Sequence, residues 1–344
     1  MKIRLLETAE QAVALARCVY RTHGLTHHRS WLYEPDRVLA LNQAGHVQSF
    51  LAEVAGQCVA HVAAITPSFE LQERGQPVRG ERVRELGLIV VDPTMDASSV
   101  RARMVSVVYG WAMERGLEGL IVRCPTHRTD EQRLVRAMGA VPVAIHLAST
   151  PNPTGPFRGS LSAVSLYLPL NPSRPGSVFL PRSDVDLYEA IYAQLGEMRE
   201  FATEEPPAIS ALSTVRVEFD SVRQVGAVHV LRAGPDLKDR VLERVQWLLG
   251  GRIRHVSVSV PLASPFTPVA MAEWKGHGLC FSGVLPGYGS DGDVVVLQGL
   301  RDVDLQPAEL RLLDPLAKTL LNRSIGDWEQ SRDMIRPARW LEAS

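Results

Sequence analysis

The chain has 344 residues, 45% apolar and 22% charged, which is enough to bury two cores and too apolar for a disordered polypeptide. A formal net charge of −1, with 37 scattered basic residues against 38 acidic ones, excludes the basic field that nucleic acid or an anionic membrane would require. No apolar run approaches the roughly 20 residues of a membrane span, and MKIRLLETAEQAV lacks a signal-peptide core, so a cytoplasmic bacterial protein is the expectation.

Residues 3–7 read as a strand, and Thr8 with Gln11 as a capping box opening a helix that Gly24 stops. Pro35 starts a second, short helix. Strands SFLAEVA and CVAHVAAI follow, joined by a tight hairpin at Gly56-Gln57, and residues 68–81 form a polar loop. The apolar run 83–91 predicts a strand. Ser98 or Ser99 then caps a helix whose Val100, Met104, Val107, Val108 and Trp111 share one face and which Gly116 ends. A strand over 118–125, a short helix from Asp130 to Met138, Gly139 and a strand over 141–148 come next. After a Pro/Gly-rich loop, LSAVSLYLPL supplies a further strand. The cysteines, Cys18, Cys58, Cys124 and Cys280, form no CxxC pair and sit where reduced, buried thiols fit.

Residues 171–176, NPSRPG, continue neither a helix nor a central strand, which places a domain boundary there. Beyond it come helix 184–196, strands 214–219 and 225–232, and a helix from Asp236 that Gly250-Gly251 ends. Strand 253–260, a short helix from Pro265 and strands 279–285 and 293–298 follow, with GVLPGYGSDGD as a mobile hairpin loop. Strand–helix–strand–helix–Gly–strand thus spans 86–147 and again 225–285, with Gly139 and Gly278 at matching points. An internal duplication is the preferred explanation; the alternative is the ordinary alternation of any α/β chain. Residues 307–323 and 326–341 read as C-terminal helices.

The stretch Leu86–Ala140 carries a strand (LGLIVV), Asp92-Pro93, a small-residue turn, a long helix, a second strand (LEGLIVRC), a short helix and Gly139. That succession resembles the acyl-CoA-binding core of the GNAT superfamily of N-acyltransferases. More loosely, YRTHGLT, ELGLIVVDP, SLYLPL, VFLP, IYAQLG and GVLPG resemble a group of bacterial tandem GNAT-like proteins. The resemblance implies an α/β (α+β) fold of two tandem GNAT-like domains, each a mixed, mostly antiparallel twisted sheet flanked by helices. Residues 1–170 would be the acyl-CoA-binding domain, 171–176 a linker, 177–325 a degenerate copy and 326–344 a C-terminal helix.

The resemblance also implies acetyl-CoA (coenzyme A) as co-substrate, without a metal. A diphosphate is then held by successive backbone N–H groups at a helix N-terminus. The family turn V-x-P-x-x-[RQ]-G-x-G-x-[GA] reads here Val91, Pro93, Asp96, Ala97, Ser99 and Arg101. Asp96 has the wrong sign for a phosphate and Arg101 the wrong bulk, although its charge suits a phosphate if the side chain swings outward. By resemblance, the co-substrate would meet Leu88, Ile89 and Val90 along its pantetheine arm, with Gly87 hosting a bulge. Asp96, Ala97, Ser98, Ser99, Val100 and Arg101 would surround its diphosphate. The residues themselves fit equally a doubly buried central strand and an ordinary capped helix turn.

Glu85 stands where the family commonly carries its general base, with Arg82 and Arg84 beside it to keep it ionised; a solvated strand-end charge is the alternative. The family's usual tyrosine acid is replaced by Val135. His127, at the C-terminal mouth of a strand, is a second candidate base or a structural loop histidine. The segment with His23, His27, His28, Trp31 and Tyr33 suits an acceptor wall or partner surface better than zinc, since only Glu34 adds a liganding group nearby. The second half has Gly234-Pro235-Asp236-Leu237-Lys238-Asp239 where a phosphate turn would be, so a structural or regulatory role is expected of it. Two functions stay open: an acetyl-CoA-dependent N-acyltransferase using an amine of a small molecule or protein by direct transfer, or a catalytically silent module that senses acyl-CoA or docks a signalling partner. Neither nucleic acid nor membrane is an expected partner.

Overall fold

The computed structural model describes residues 1–27, 29–67, 82–151, 160–173, 176–202 and 211–331. His28, the loops expected at 68–81, 152–159 and 203–210, and the end of the chain from 332 lie outside them. The chain divides into two compact units, Met1–Val122 and Arg123–Ser344. No helix among the described residues is long and apolar enough to cross a membrane.

In the first unit, strand β1 (Lys2–Leu5) leads to helix α1 (Ala9–His23). The capping box forms as the sequence predicts: Gln11 N donates to Thr8 Oγ1 at 3.3 Å, and Thr8 N donates to Gln11 Oε1 at 3.0 Å. Helix α2 (Pro35–Gln43) precedes β2 (Val47–Val54) and β3 (Gln57–Ile65). Ala55 (φ 50°) and Gly56 (φ 77°), one residue before the expected Gly56-Gln57, turn the hairpin with two left-handed residues, the twist that suits a two-residue connection. β4 (Val83–Val91), α3 (Ala97–Glu114) and the first part of β5 (Gly119–Pro125) complete the unit. Neighbouring strands pair antiparallel from β1 to β4, and β4 pairs parallel with β5.

Period-two alternation on β2 sorts the helices between the faces. Val47 and Leu51 join Leu15, Cys18, Val19, Leu32 and Val38 in a core under α1 and α2. Phe50 points the other way, onto Trp111 of α3, with ring centroids 5.5 Å apart. The buried stripe of α3 is Val100, Met104, Val105, Val108 and Ala112. Val107, expected on that face, is exposed.

In the second unit, α4 (Asp130–Ala137) is followed by β6 (Val141–Pro151) and β7 (Ser160–Pro169), which pair antiparallel. Residues 171–173 and 176 connect to a two-stranded parallel ribbon of β8 (Ser177–Phe179) and β9 (Glu200–Ala202), with α5 (Val185–Leu195) between them. β10 (Thr214–Asp220), β11 (Val225–Arg232), α6 (Leu237–Gly250), β12 (His255–Pro261), α7 (Thr267–Trp274), β13 (Leu279–Gly289), β14 (Gly292–Leu300) and α8 (Pro315–Ser331) follow. Strand order within the unit is β7-β6-β13-β14-β12-β11-β10. The sheets are mixed and mostly antiparallel, flanked by helices, as expected of the fold class. Strand–helix–strand–helix–Gly–strand recurs as β4-α3-β5-α4-β6 and β11-α6-β12-α7-β13, with parallel pairing of β4/β5 and β11/β12. Gly139 (φ 96°) and Gly278 (φ 87°) end the short helices in the same left-handed conformation.

Two expectations are corrected here. The Gly-rich 283–293 is a strand and a tight turn rather than a mobile loop. Gly283 lacks a side chain because β6 passes against it: a Cβ there would lie 2.1 Å from Val143 O and 2.3 Å from Ala144 Cα. Among the described residues, one helix, α8 (Pro315–Ser331), runs across the break expected between the helices at 307–323 and 326–341.

The β6/β13 junction has a single paired register position, Ala144 with Gly283. Side chains supply the rest. Gln298 accepts from Leu147 N at 2.9 Å and donates to Ile145 O at 3.2 Å, and Ser282 Oγ donates to Ile145 O at 2.7 Å. Gly283→Ala should therefore cost about 2 kcal/mol or more, as overpacking against backbone does. A urea-unfolding midpoint equal to wild type would contradict this packing.

Candidate functional site

β4 pairs with β5 only from Val83/Gly119 to Leu86/Val122, yet the strand continues to Val91. Backbone groups alternate between the two edges of a strand, so part of this stretch turns its N–H and C=O away from β3. Gly87, Leu88, Ile89 and Val91 are half-buried, which excludes the doubly buried strand; only Val90 is in the core.

On the β3 side the ladder breaks. Register shifts between His61 and Ala63, which face Val90 and Gly87, leaving one extra residue on β4. The bulge centres on Leu88, whose φ is +53°, and not on Gly87 as expected. Left-handed backbone at a residue with a side chain costs roughly 1 kcal/mol, so something holds it. That partner is His61, fully buried on β3: its Nδ1 lies 2.8 Å from Leu88 O and its Nε2 3.1 Å from Ser49 Oγ. Sequence reasoning missed His61. The available signal was a polar residue in the apolar run CVAHVAAI, on the strand next to the central one.

After β4 the chain is pinned by Asp92. Its Oδ2 accepts from Arg21 Nε at 2.8 Å, and its Oδ1 accepts from Thr94 Oγ1 at 2.8 Å and Thr94 N at 3.2 Å. Arg21 also donates to Cys58 O at 2.6 Å, tying α1 to β3 at the same point. Hydrogen bonds from Arg21 and then Thr94 hold the Asp92 carboxyl below the usual carboxylate range.

Asp96 is the N-cap of α3, which begins two residues earlier than Ser98 as cap would give. Its Oδ1 accepts from Ser98 N at 3.2 Å and its Oδ2 from Ser99 Oγ. Those bonds, the Ser99 hydroxyl first, hold its pKa below the ordinary value. A carboxylate of the chain itself therefore sits on the first-turn amides that would receive a diphosphate. Ala97 is half-buried, Ser98 and Ser99 are exposed, and Val100 is buried with its side chain in the core. Arg101 is half-buried on the first turn rather than swung fully into solvent.

Glu85 is half-buried on the paired part of β4, opposite Ile65 and Ile121. The flanking arginines have firm partners of their own. Arg82 Nε donates to Glu118 Oε1 at 2.7 Å, and Arg84, buried, donates to Gly45 O at 2.9 Å and to Thr66 Oγ1.

His127, in the second unit, is half-buried between β5 and α4. Burial, then the neighbouring Arg128, lowers its pKa against the opposing pull of Glu131 and Asp130, so at pH 7 it is a neutral imidazole able to accept a proton. Val135, where the family acid would be, is buried and aliphatic.

His23 and His27 stack edge-to-face at 5.0 Å, and His27 N donates to Tyr33 Oη at 3.0 Å. Among the described residues no group of three or more His, Cys, Asp and Glu is placed to hold a metal ion.

The corresponding turn of the second unit, before α6, is filled. A Cβ on Gly234 would meet Ala211 O at 2.2 Å, Ser213 N donates to Asp236 Oδ1 at 2.7 Å, and Arg240 Nε donates to Asp236 Oδ2 at 3.1 Å. β11 also stays paired with β12 as far as His229.

No family model matches the chain, and no curated protein matches it. Among solved structures it is similar to the ribosomal-protein-S18-alanine N-acetyltransferase from Escherichia coli, with 17% identity over 50% of this chain and 96% of that one and a TM-score of 0.39. The ribosomal-protein-alanine N-acetyltransferase from Brucella melitensis shows 18% identity over 49% of this chain and 100% of that one, with a TM-score of 0.38. The aminoglycoside 6′-acetyltransferase type Ii shows 16% identity over 51% and 100%, with a TM-score of 0.37. Each spans about half of this chain. At such identities and scores the likeness carries nothing about activity.

Asp92 yields a test of the pinned strand end. Its folded-state pKa lies below the unfolded value of about 3.9, so its contribution is present at neutral pH and is lost as pH falls through the folded-state value. Asp92→Asn should lower stability by about 1 kcal/mol at pH 7, near the low end for a charged hydrogen bond because Arg21 is a third exposed. Denaturant titrations from pH 7 to pH 3 should show the deficit shrinking; a pH-independent deficit would count against the ion pair.

Proposed function

We propose that the chain binds an acyl-coenzyme A along the edge of β4 and transfers the acyl group to an amine. The observation that carries this reading is the run of β4 past its last pair with β5, opened by the bulge at Leu88. An extended pantetheine arm carries amides that match such an edge, as an added strand would. The geometry fits the arm better than the diphosphate, because Asp96 already caps α3. Acetyl-CoA is the smallest acyl donor of this class and the probe of choice.

The chemistry is direct. The acceptor ammonium gives one proton to Glu85, and the freed nitrogen lone pair attacks the thioester carbonyl carbon. The tetrahedral intermediate expels the thiolate as its C–S bond breaks, and the second N–H proton is released to solvent. The thiolate needs no dedicated acid, since a thiol pKa near 8.5 makes it a tolerable leaving group, which suits Val135 in place of a tyrosine. The amine can belong to a small molecule or a protein.

A second reading rests on Asp96 and Val135: a module that binds acyl-CoA weakly and reports its concentration to a signalling partner without turnover. Turnover separates the two.

Titration calorimetry with acetyl-CoA should show saturable binding, and absence of heat at millimolar ligand would remove both readings. Asp96→Asn keeps a good N-cap and deletes the charge, so affinity should rise roughly fivefold at low salt, the gain fading as salt screens it. Glu85→Gln should leave affinity nearly unchanged and lower kcat by on the order of a hundredfold or more. Unchanged turnover would exclude Glu85 as the base.

A further inference from the structure

We propose that His61 is a positioning residue: its ring, oriented by Ser49 and Asn42, latches the Leu88 bulge and so fixes the edge of β4 that an acyl-CoA arm pairs with. The second half of this statement rests on the acyl-CoA reading above; the latch itself does not.

The orientation follows from hydrogen-bond accounting. Leu88 O can only accept, so His61 Nδ1 carries the proton, and in a neutral ring Nε2 is then the acceptor. Burial lowers the His61 pKa to about 4, which keeps the ring neutral at physiological pH. Ser49 Oγ supplies the proton facing Nε2 at 3.1 Å and itself accepts from Asn42 Nδ2 at 3.2 Å. Asn42 cannot flip, because its Nδ2 also donates to Val38 O at 2.8 Å and its Oδ1 accepts from Ser49 N at 2.7 Å. The direction of every bond from α2 to β4 is thereby set, with Asn42, Ser49 and His61 all buried.

Such a network inside a core of valine, leucine and alanine adds no packing that apolar side chains would not supply. What it does supply is a donor aimed at one carbonyl, on the one residue of β4 with left-handed backbone. Leu88 without that donor has every reason to return to extended backbone, which would shift the edge beyond it by one residue and exchange which groups face outward.

The test uses the full chain. In crystals of His61→Leu, Leu88 should have negative φ; a retained φ near +53° would overturn the latch. In the wild-type protein, histidine nitrogen NMR should show His61 protonated on Nδ1, and protonation on Nε2 would overturn it equally. Acetyl-CoA affinity should fall about tenfold in His61→Leu, the worth of one well-made hydrogen bond. It should fall less in His61→Asn, whose amide can donate near the Nδ1 position. Leu88→Gly should restore affinity in the His61→Leu background, because glycine adopts the left-handed conformation unaided. A merely structural histidine would lower the melting temperature without that rescue. Should His61→Leu fail to fold, Ser49→Ala carries the test: it keeps the ring and its bond to Leu88 O but removes the hydroxyl that orients Nε2, and unchanged acetyl-CoA affinity would overturn the relay. If the crystal and tautomer results hold while the wild-type protein binds no acetyl-CoA, the latch stands and its acyl-CoA role is overturned.

Discussion

A strand that outruns its neighbour is the constraint from which the rest of the first unit follows. β4 leaves β5 after Leu86, and unpaired backbone of this kind is disfavoured unless water or a ligand satisfies it. The surrounding chain is arranged to keep that stretch open. Arg21 and Thr94 fix its far end through Asp92, and His61 fixes its middle through Leu88 O. Each anchor comes from outside β4: Arg21 from α1, His61 from β3, with Ser49 on β2 and Asn42 on α2 behind it. The opening is therefore a property of the whole unit and not of the apolar run LGLIVV.

Charge at the start of α3 pulls the other way. The Asp96 carboxylate satisfies the first-turn donors from within, which steadies the helix and competes with an incoming diphosphate for the same groups. The competition is at an exposed site, so salt screens it and a ligand gripped elsewhere can still bind. On the proposed reading, a donor would be held mainly by its arm and only loosely by its phosphates. Asp236, at the matching turn of the second unit, is engaged more fully. There the carboxylate is taken by Ser213 N and Arg240, and the main chain around 211–213 fills the turn itself.

Local signals were legible where local chemistry decides. The Thr8/Gln11 box, the left-handed Gly24, the hairpin between β2 and β3, and the paired helix stops at Gly139 and Gly278 all rest on interactions within a few residues. Signals that depend on distant partners were not. The bulge was expected at Gly87 because glycine tolerates it, and it sits at Leu88 because the His61 donor comes from another strand. The helix start was read at serines, yet Asp96 caps it with both oxygens. Val107 fits the helical period as well as Val105 does, and only the packing of α3 on the sheet decides between them. Gly283 was read as a flexible-loop residue because its constraint, the backbone of β6, is remote in sequence. The arginines beside Glu85 have partners that the sequence did not reveal: Glu118 for Arg82, Gly45 and Thr66 for Arg84. Of the positions named for the site, Leu88 to Arg101 fall on the open end of β4 and the start of α3, while Glu85 lies on the paired part of the strand.

The junction of β6 with β13 gives the second unit a packing role that does not depend on an open turn at Asp236. Without β13, β6 would be an edge strand with apolar Val143, Ile145 and Leu147 along it, a hazard for pairing with other chains. β13 covers that edge although it pairs at only one position, because Gln298 and Ser282 complete the bonds that the ladder leaves out. Gly283 permits the approach, and no residue with a side chain could replace it without moving Val143. α8 then lies over both strands, with Ser324 Oγ donating to Phe281 O at 2.7 Å and Asp327 accepting from Phe281 N at 3.1 Å. This cover rests on Gly283, Gln298 and Ser282 and makes no use of the turn at Asp236, so the packing of the hairpin and the filling of that turn are independent constraints.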